Sequence, residues 1–152
     1  YGPGDNYHQE NSHVIPALIR RFHEAKINKF EDVKVWGTGR PKREFLYVDD
    51  MASACIHILN LDRETYLQHT RPRMGHINVG FGCDISIMKL TEIICEIVGY
   101  EGKVIFDVKK PDGSSRKLLN SSRLLHLGWQ ARVGLKEGLE RTYDDFMRRH
   151  KL

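Results

Sequence analysis

The chain has 152 residues, of which 40% are hydrophobic and 29% charged, and its formal net charge is +4. A chain of this length forms one domain, or part of a larger one, and can bury roughly 70% of the surface that its unfolded form exposes. No apolar run approaches the ~20 residues of a membrane span. The basic residues are too scattered for the dense basic face of a nucleic-acid-binding protein. We therefore expect neither a membrane nor a nucleic-acid partner, and a small anionic ligand accounts for the positive charge equally well.

The first helix is predicted just after a polar, turn-rich loop at residues 1–12. Ser12 is its candidate N-cap, and Pro16 lies in the first turn, where a missing backbone N–H is tolerated. One apolar stripe at helical spacing predicts the buried face, which consists of Ile15, Leu18, Phe22 and Ala25.

The segment 33–48 is predicted to form a hairpin, with strands at 33–35 and 45–48 around a basic turn. Arg40, Lys42 and Arg43 lie in this turn, and Trp36 flanks it. Arginine matches phosphate oxygens with two hydrogen bonds, and an indole ring can stack on a base or a sugar. This pattern indicates a phosphate-bearing ligand with a flat end group, although a solvated hairpin tip is the alternative on composition alone.

A second helix is predicted to follow, with Asp49 or Asp50 as its N-cap. Its inward face is predicted to consist of Met51, Cys55, Ile56 and Leu59. Residues 62–75 read as a surface connection, and 77–79 as a short buried strand. A third helix is predicted between a Ser86 cap and a Gly99 stop, followed by a strand at 104–106.

The last third of the chain contains a second basic loop at 109–117 and a short helix that ends at Gly128. The final helix is predicted to carry Leu135, Leu139, Tyr143 and Phe146 on one face. Because strands and helices alternate, we predict an α/β fold. Cys55, Cys83 and Cys95 form no CxxC pair, so we interpret them as reduced core thiols rather than disulfides or metal ligands.

Several catalytic motifs are absent from the sequence. Neither GxGxxG nor GxxGxxG occurs, and there is no P-loop, GxSxG or HExxH. No tyrosine is followed four residues later by lysine. The chain by itself therefore lacks a complete catalytic constellation.

Other motifs resemble the C-terminal half of the extended short-chain dehydrogenase/reductases that act on nucleotide sugars. They are Tyr-Gly-Pro at 1–3, Trp-Gly-x-Gly at 36–39, Arg-Glu-Phe-Leu-Tyr-Val-Asp-Asp at 43–50, Ile-Asn-Val-Gly at 77–80 and Leu-Gly-Trp at 127–129. The segments at 11–22 and 110–119, with Ser-His-Val-Ile-Pro and Lys-Pro-Asp-Gly, are similar to the GDP-L-fucose synthases within that family.

The resemblance implies a small mixed sheet with packed helices, in which residues 1–152 form a nucleotide-sugar-binding domain. The Rossmann half, with the glycine-rich loop and the Tyr-xxx-Lys pair, is expected upstream, where it would bind most of the NADP. The implied reaction is 3,5-epimerisation and NADPH-dependent reduction of GDP-4-keto-6-deoxy-D-mannose to GDP-L-fucose. A cytoplasmic homodimer is expected of the full-length enzyme, and no activity of this chain alone.

The resemblance also implies roles for six residues. His13 is expected to be the acid in the epimerisation and to contact the cofactor, while the base is an upstream cysteine. The expected substrate contacts are Arg21, Trp36, Arg43, Asp112 and Lys117, with Arg43 at the diphosphate and Asp112 at the nucleotide end. Plainer alternatives are solvent-facing helix positions for His13 and Arg21, core packing for Trp36, and turn positions for Arg43 and Asp112.

Three other functions compete with this interpretation. One is another nucleotide-sugar epimerase or dehydratase of the same family, and the second is a nucleotide-sugar-binding module without chemistry. The third is a weak nucleic-acid binder, which a salt-dependent gel shift would test. The segments at 11–22 and 110–119 favour the first interpretation over a sister enzyme, and an upstream frame with YxxxK would exclude the binding module.

Overall fold

The computed structural model describes residues 1–150 and shows the predicted mixed α/β fold. Of the predicted unit 1–152, residues 151 and 152 lie outside the described part. The helices are α1 (Val14–Ile27), α2 (Val48–Leu59), α3 (Arg63–Gln68), α4 (Ile87–Val98), α5 (Ser122–His126) and α6 (Leu135–Arg149). The strands are β1 (Asp32–Trp36), β2 (Lys42–Glu44), β3 (Asp84–Ser86), β4 (Lys103–Asp107) and β5 (Arg116–Lys117). Across residues 1–150, every helix is too short or too polar to cross a membrane.

The strands form two small sheets. In the first, β1 and β4 pair in parallel, so the loops that follow them leave from the same edge. In the second, β2 is central, antiparallel to β3 and parallel to β5. Ligands of α/β proteins commonly bind at the carboxyl ends of parallel strands, so a binding site is expected at the loops after β1 and β4.

The main core lies between α1, α4, α6 and β1. The predicted stripe of α1 is confirmed, because its four side chains are at most 2% exposed. The predicted inward residues Leu139 and Phe146 of α6 are fully buried in the same core. Full burial of one such side chain stabilises a protein by roughly 1.5–3 kcal/mol, so this cluster anchors the fold.

Local signals fixed the ends of α4 as predicted. The Ser86 hydroxyl accepts a hydrogen bond from the backbone N–H of Lys89 at 3.1 Å. Gly99 ends the helix with φ 70°, in the left-handed region that suits a residue without a side chain.

The predicted hairpin at 33–48 is wrong. Strand β1 confirms 33–35, but its partner is β4, and β2 belongs to the other sheet. Residues 45–47 form no strand of a sheet, and Val48 begins α2. The backbone of this segment instead pairs with Tyr1, whose backbone nitrogen donates to the Leu46 carbonyl at 3.1 Å. Pro41 lacks the N–H that ladder pairing requires, which disfavours a continuous strand here.

Two predictions for α2 are also wrong. Tyr47 is the N-cap, and Asp50 is buried in the first turn, where it accepts backbone hydrogen bonds from Arg132 and Val133. The predicted inward face is exposed at all four positions, namely Met51, Cys55, Ile56 and Leu59. Ala54 is buried instead, in a second, smaller core with Leu124 and Trp129.

The remaining differences are local. His13, not Ser12, is the N-cap of α1. The connection at 62–75 contains α3, whose N-cap Asp62 accepts from the Thr65 N–H. Residues 77–79 form no strand, although Ile77 and Val79 pack against the second core. Of the three thiols predicted in the core, Cys95 is half-buried, and Cys55 and Cys83 are exposed.

Candidate functional site

A cavity of about 610 Å³ opens where β1 and β4 end. The start of α1, β2 and the loop after β4 form its walls, whereas α2 contributes no lining residue. Of the six predicted site residues, five line this main cavity, namely His13, Trp36, Arg43, Asp112 and Lys117. The tertiary structure thus brings together residues that are up to 104 positions apart in the chain (117 − 13).

His13 lies at the entrance to α1, on the wall of the main cavity. Its backbone carbonyl accepts from Ala17, as the first intrahelical bond requires, and its side chain is exposed. Imidazole is the side chain most often used as a general acid or base. His13 therefore places a group able to transfer protons on the cavity wall.

Trp36 is the last residue of β1, and 66% of its surface is exposed. Core packing therefore does not explain this tryptophan. The Lys110 ammonium lies 5.0 Å from the centroid of its ring, in a cation–π contact that joins the loops after β1 and β4. The indole offers an apolar surface beside the positive charges of the site.

Two cations lie side by side on the wall formed by β2 and β5. Arg43 is in register with Lys117 across the parallel strand pair, and both line the main cavity. Like charges on neighbouring strands destabilise a sheet when nothing compensates them. An anion in the cavity would compensate both, so this pair is the clearest sign of an anionic ligand. Of the three basic residues predicted in the turn, only Arg43 lines the cavity.

Asp112 is exposed but firmly held. Its Oδ1 accepts from the Thr38 backbone N–H at 2.8 Å, and its Oδ2 from the Thr38 hydroxyl at 2.6 Å. The Thr38 side-chain and backbone hydrogen bonds, followed by the Arg40 charge, lower the pKa of the Asp112 carboxyl. Asp112 therefore presents a negative charge at the mouth of the cavity.

Arg21 does not line the main cavity. It leaves α1 toward β1, and its guanidinium donates to the Lys34 carbonyl at 2.8 Å. It lies instead in a separate surface depression, to which Trp36 also contributes.

Glu44 is a cavity residue that the sequence did not reveal. Its Oε1 accepts from Gly82 at 2.6 Å, and its Oε2 from Leu119 at 3.1 Å. The carboxylate thus connects segments on either side of β2. These partners are 38 and 75 positions away, so no local pattern could have identified them. Thr38 was likewise missed, and only its place between two motif glycines could have drawn attention to it.

Residues 1–80 match the model of the NAD dependent epimerase/dehydratase family, which is more than half of the chain. The chain belongs to that family. This membership confirms the predicted α/β fold of an extended dehydrogenase/reductase.

Several known proteins match nearly the whole of this chain. The chain is 54% identical over 147 residues to the GDP-L-fucose synthase of Escherichia coli K12, and the match covers 97% of this chain and 46% of that protein. A solved GDP-6-OMe-4-keto-L-xylo-heptose reductase from C. jejuni has a TM-score of 0.88 at 29% identity, over 99% of this chain and 52% of that one.

A GDP-L-fucose synthetase from Naegleria fowleri, solved bound to NADP, has a TM-score of 0.84 at 25% identity. That match covers 99% of this chain and 45% of the Naegleria protein. The chain therefore spans about half the length of the relatives it matches, and its predicted resemblance to GDP-L-fucose synthases is confirmed.

Proposed function

We propose that this chain is the substrate-binding part of an NADP-dependent enzyme that converts GDP-4-keto-6-deoxy-D-mannose to GDP-L-fucose. The Arg43–Lys117 pair carries the proposal, because two neighbouring cations on a cavity wall favour an anion that can contact both. The diphosphate of a nucleotide sugar is such an anion. The similarity to a GDP-L-fucose synthase over nearly the whole chain supports the choice of sugar nucleotide.

The cavity suggests an orientation for this ligand. The diphosphate lies against Arg43 and Lys117, and the Trp36 ring covers an apolar part of the nucleotide sugar. Asp112, at the mouth, accepts from the N1–H and amino group of guanine, which adenine and uracil do not present in the same way. A substrate contact by Arg21 remains a prediction, since this residue lies outside the main cavity.

The chemistry that we propose begins with the C4 ketone, which acidifies the protons at C3 and C5. A base removes each proton to leave an enolate, and His13 returns a proton to the opposite face of the ring. No electrons are gained or lost in these two inversions. General acid catalysis of this kind typically contributes ~10²–10⁴-fold.

NADPH, when bound, supplies the hydride for reduction at C4. Among the residues of this chain we assign the contact with NADP to His13, whose exposed side chain lines the cavity. The base, the glycine-rich loop and a Tyr-xxx-Lys pair would belong to an upstream half. This arrangement is supported by the length of the relatives, because the chain covers only 46% and 45% of two of them. We also propose that the full-length enzyme is a cytoplasmic homodimer.

A change of His13→Asn in the full-length enzyme tests the proposal. Asparagine cannot deliver a proton, so exchange of solvent deuterium into C3 and C5 should fall by ~10²-fold or more. Direct reduction of the unepimerised keto sugar should survive at least in part, because it depends on the upstream tyrosine. His126→Asn, on α5 and away from the cavity, is the matched control and should exchange at the wild-type rate.

Three outcomes would contradict the proposal. Exchange at the wild-type rate in His13→Asn would remove the acid role from His13. Loss of reduction with unchanged exchange would make His13 a cofactor-side residue only. A wild-type enzyme that turns over a UDP-sugar but no GDP-sugar would assign the chain to another epimerase or dehydratase.

A further inference from the structure

The loops after β1 and β4 are fastened together at the mouth of the main cavity. The Thr38 backbone N–H and hydroxyl bind the two oxygens of Asp112, at 2.8 and 2.6 Å. The same hydroxyl oxygen accepts from the Arg40 N–H at 3.2 Å. Thr38 is therefore the centre of a small network that bridges 74 positions of sequence. We call Thr38 and Asp112 the loop clasp.

On the β1 side, Gly37 leaves room for the Asp112 carboxylate of the loop clasp. Gly37 has φ +82°, in the left-handed region, and a Cβ placed there would lie 2.3 Å from Asp112 Oδ1. Any other residue at 37 would therefore displace the carboxylate. On the β4 side, Lys110 stacks on Trp36 and adds a second link between the same two loops.

Both loops contribute to the ligand pocket. Trp36, two residues before Thr38, lines the main cavity. On the other side, the turn at residues 111–113, which includes Asp112, also lines it. Thr38 itself does not. A link between the loops therefore sets the distance between the indole on one side and the carboxylate on the other. Preorganised groups bind a ligand more tightly, because less ordering is needed on binding.

We propose that Thr38 is a positioning residue for the nucleotide sugar, acting through Asp112 and the spacing of the two loops. This inference rests on the proposed function, since it names a further determinant of the same site. Thr38 does not line the cavity, and its effect reaches the ligand through the clasp. The tightly held carboxylate accordingly faces the ligand in one orientation.

The test compares variants of the full-length enzyme, with GDP as the calorimetric probe. Thr38→Val keeps the shape and the backbone N–H but removes the hydroxyl. It should raise the Kd for GDP and the KM for the keto sugar about three- to tenfold, the effect of one lost hydrogen bond. The kcat should stay within about twofold, the pattern expected when binding alone is affected. Thr38→Ser retains the hydroxyl and should restore both constants.

The chain contains a matched control for this change. Thr65 donates from its N–H and its hydroxyl to the two oxygens of Asp62, at 2.8 and 2.7 Å, in the same arrangement on α3. Thr65→Val should leave the Kd for GDP and the KM unchanged, since neither residue lines the main cavity. Equal changes in the Kd and the KM for Thr38→Val and Thr65→Val would mean that the loop clasp only stabilises the fold, and would overturn the inference.

A double-mutant cycle isolates the clasp. After Asp112→Asn, a further Thr38→Val change should add less to the Kd than it does in the wild-type enzyme, because the two residues act as one unit. Full additivity would overturn the inference, as would an unchanged Kd in Thr38→Val. If wild-type enzyme binds no GDP at all, the proposed function itself fails, and the two failures are thereby distinguished.

Discussion

Helices α1 and α2 meet different surroundings in this fold. The apolar face of α1 is covered by α4 and α6, and Phe22 at its centre is fully buried. The apolar face of α2 finds no cover within residues 1–150, where Leu59 is 82% and Ile56 is 60% exposed. Four exposed apolar side chains along one helix exceed the scattered single residues that an ordinary surface tolerates.

The two helices therefore differ in whether the apolar face is covered within residues 1–150. In the proposed enzyme, an upstream cofactor-binding half would cover the apolar face of α2. The main cavity belongs to the α1 side, because His13 at the start of α1 lines it and no α2 residue does.

The largest expected effect in this comparison is on stability. Phe22→Ala should lower the free energy of unfolding of this chain by about 3–5 kcal/mol, the usual loss for a large-to-small change in a packed core. Leu59→Ala should change it by less than about 0.5 kcal/mol, since the side chain is exposed. Urea denaturation of both variants is the measurement. A similar loss at both positions would show that α2 is covered in solution.

Ligand affinity should likewise depend on residues of the main cavity and not on residues near α2. Arg43→Ala in the full-length enzyme removes a charge-assisted contact to phosphate worth roughly 1.5–3 kcal/mol, which weakens GDP-sugar binding about ten- to hundredfold. Arg123→Ala, beside the second core, removes only a hydrogen bond to the His76 carbonyl and should leave affinity unchanged. Calorimetry checks both, and unchanged affinity in Arg43→Ala would return Arg43 to a solvated surface role.

The free energy of unfolding should also depend on pH through a buried histidine of α1. His23 is buried, with its Nδ1 3.0 Å from the Tyr143 hydroxyl. Burial, followed by the Lys26 charge, lowers the pKa of His23. The unfolded chain therefore binds a proton more readily than the folded chain once the pH falls below about 6.5. Stability should be fully present above that pH and decline as the pH falls through the lowered native pKa.

The slope of unfolding free energy against pH, measured in urea, tests this expectation. His23→Phe removes the titrating group and should flatten the acid decline, even if it also changes stability at neutral pH. His126→Asn, at an exposed position, should keep the wild-type slope. An undiminished slope in His23→Phe would assign the acid sensitivity to other groups.

The smallest effect on stability, and a clear one on association, is expected at the α2 face. Ile56→Lys combined with Leu59→Lys should alter the free energy of unfolding by about 0.5 kcal/mol or less per site. The same change should reduce binding of a hydrophobic dye and self-association of this chain, measured by sedimentation. Val108→Lys, an exposed apolar position elsewhere, is the control. A wild-type chain that is already monodisperse and binds no dye would contradict the open face.

Much of the fold and of the site followed from local sequence patterns. Pro16, Ser86 and Gly99 act through the conformation of their own backbone and its nearest neighbours, so their positions fixed helix ends without help from the rest of the chain. The apolar stripes of α1 and α6 were equally readable, since helical spacing alone places their residues on one face. Five of the six residues expected in the site lie together in the main cavity, although their roles there stay predictions.

Tertiary structure decided what depends on partners distant in sequence. The segment 33–48 contains extended residues, but only the pairing of β1 with β4 and of β2 with β3 and β5 showed that it is no hairpin. The α2 stripe named an apolar face, yet whether that face is covered depends on surfaces elsewhere. The Thr38–Asp112 clasp and the Arg43–Lys117 pair join residues 74 positions apart. A local pattern specifies the conformation of its own backbone, whereas contacts across such distances depend on how the whole chain packs.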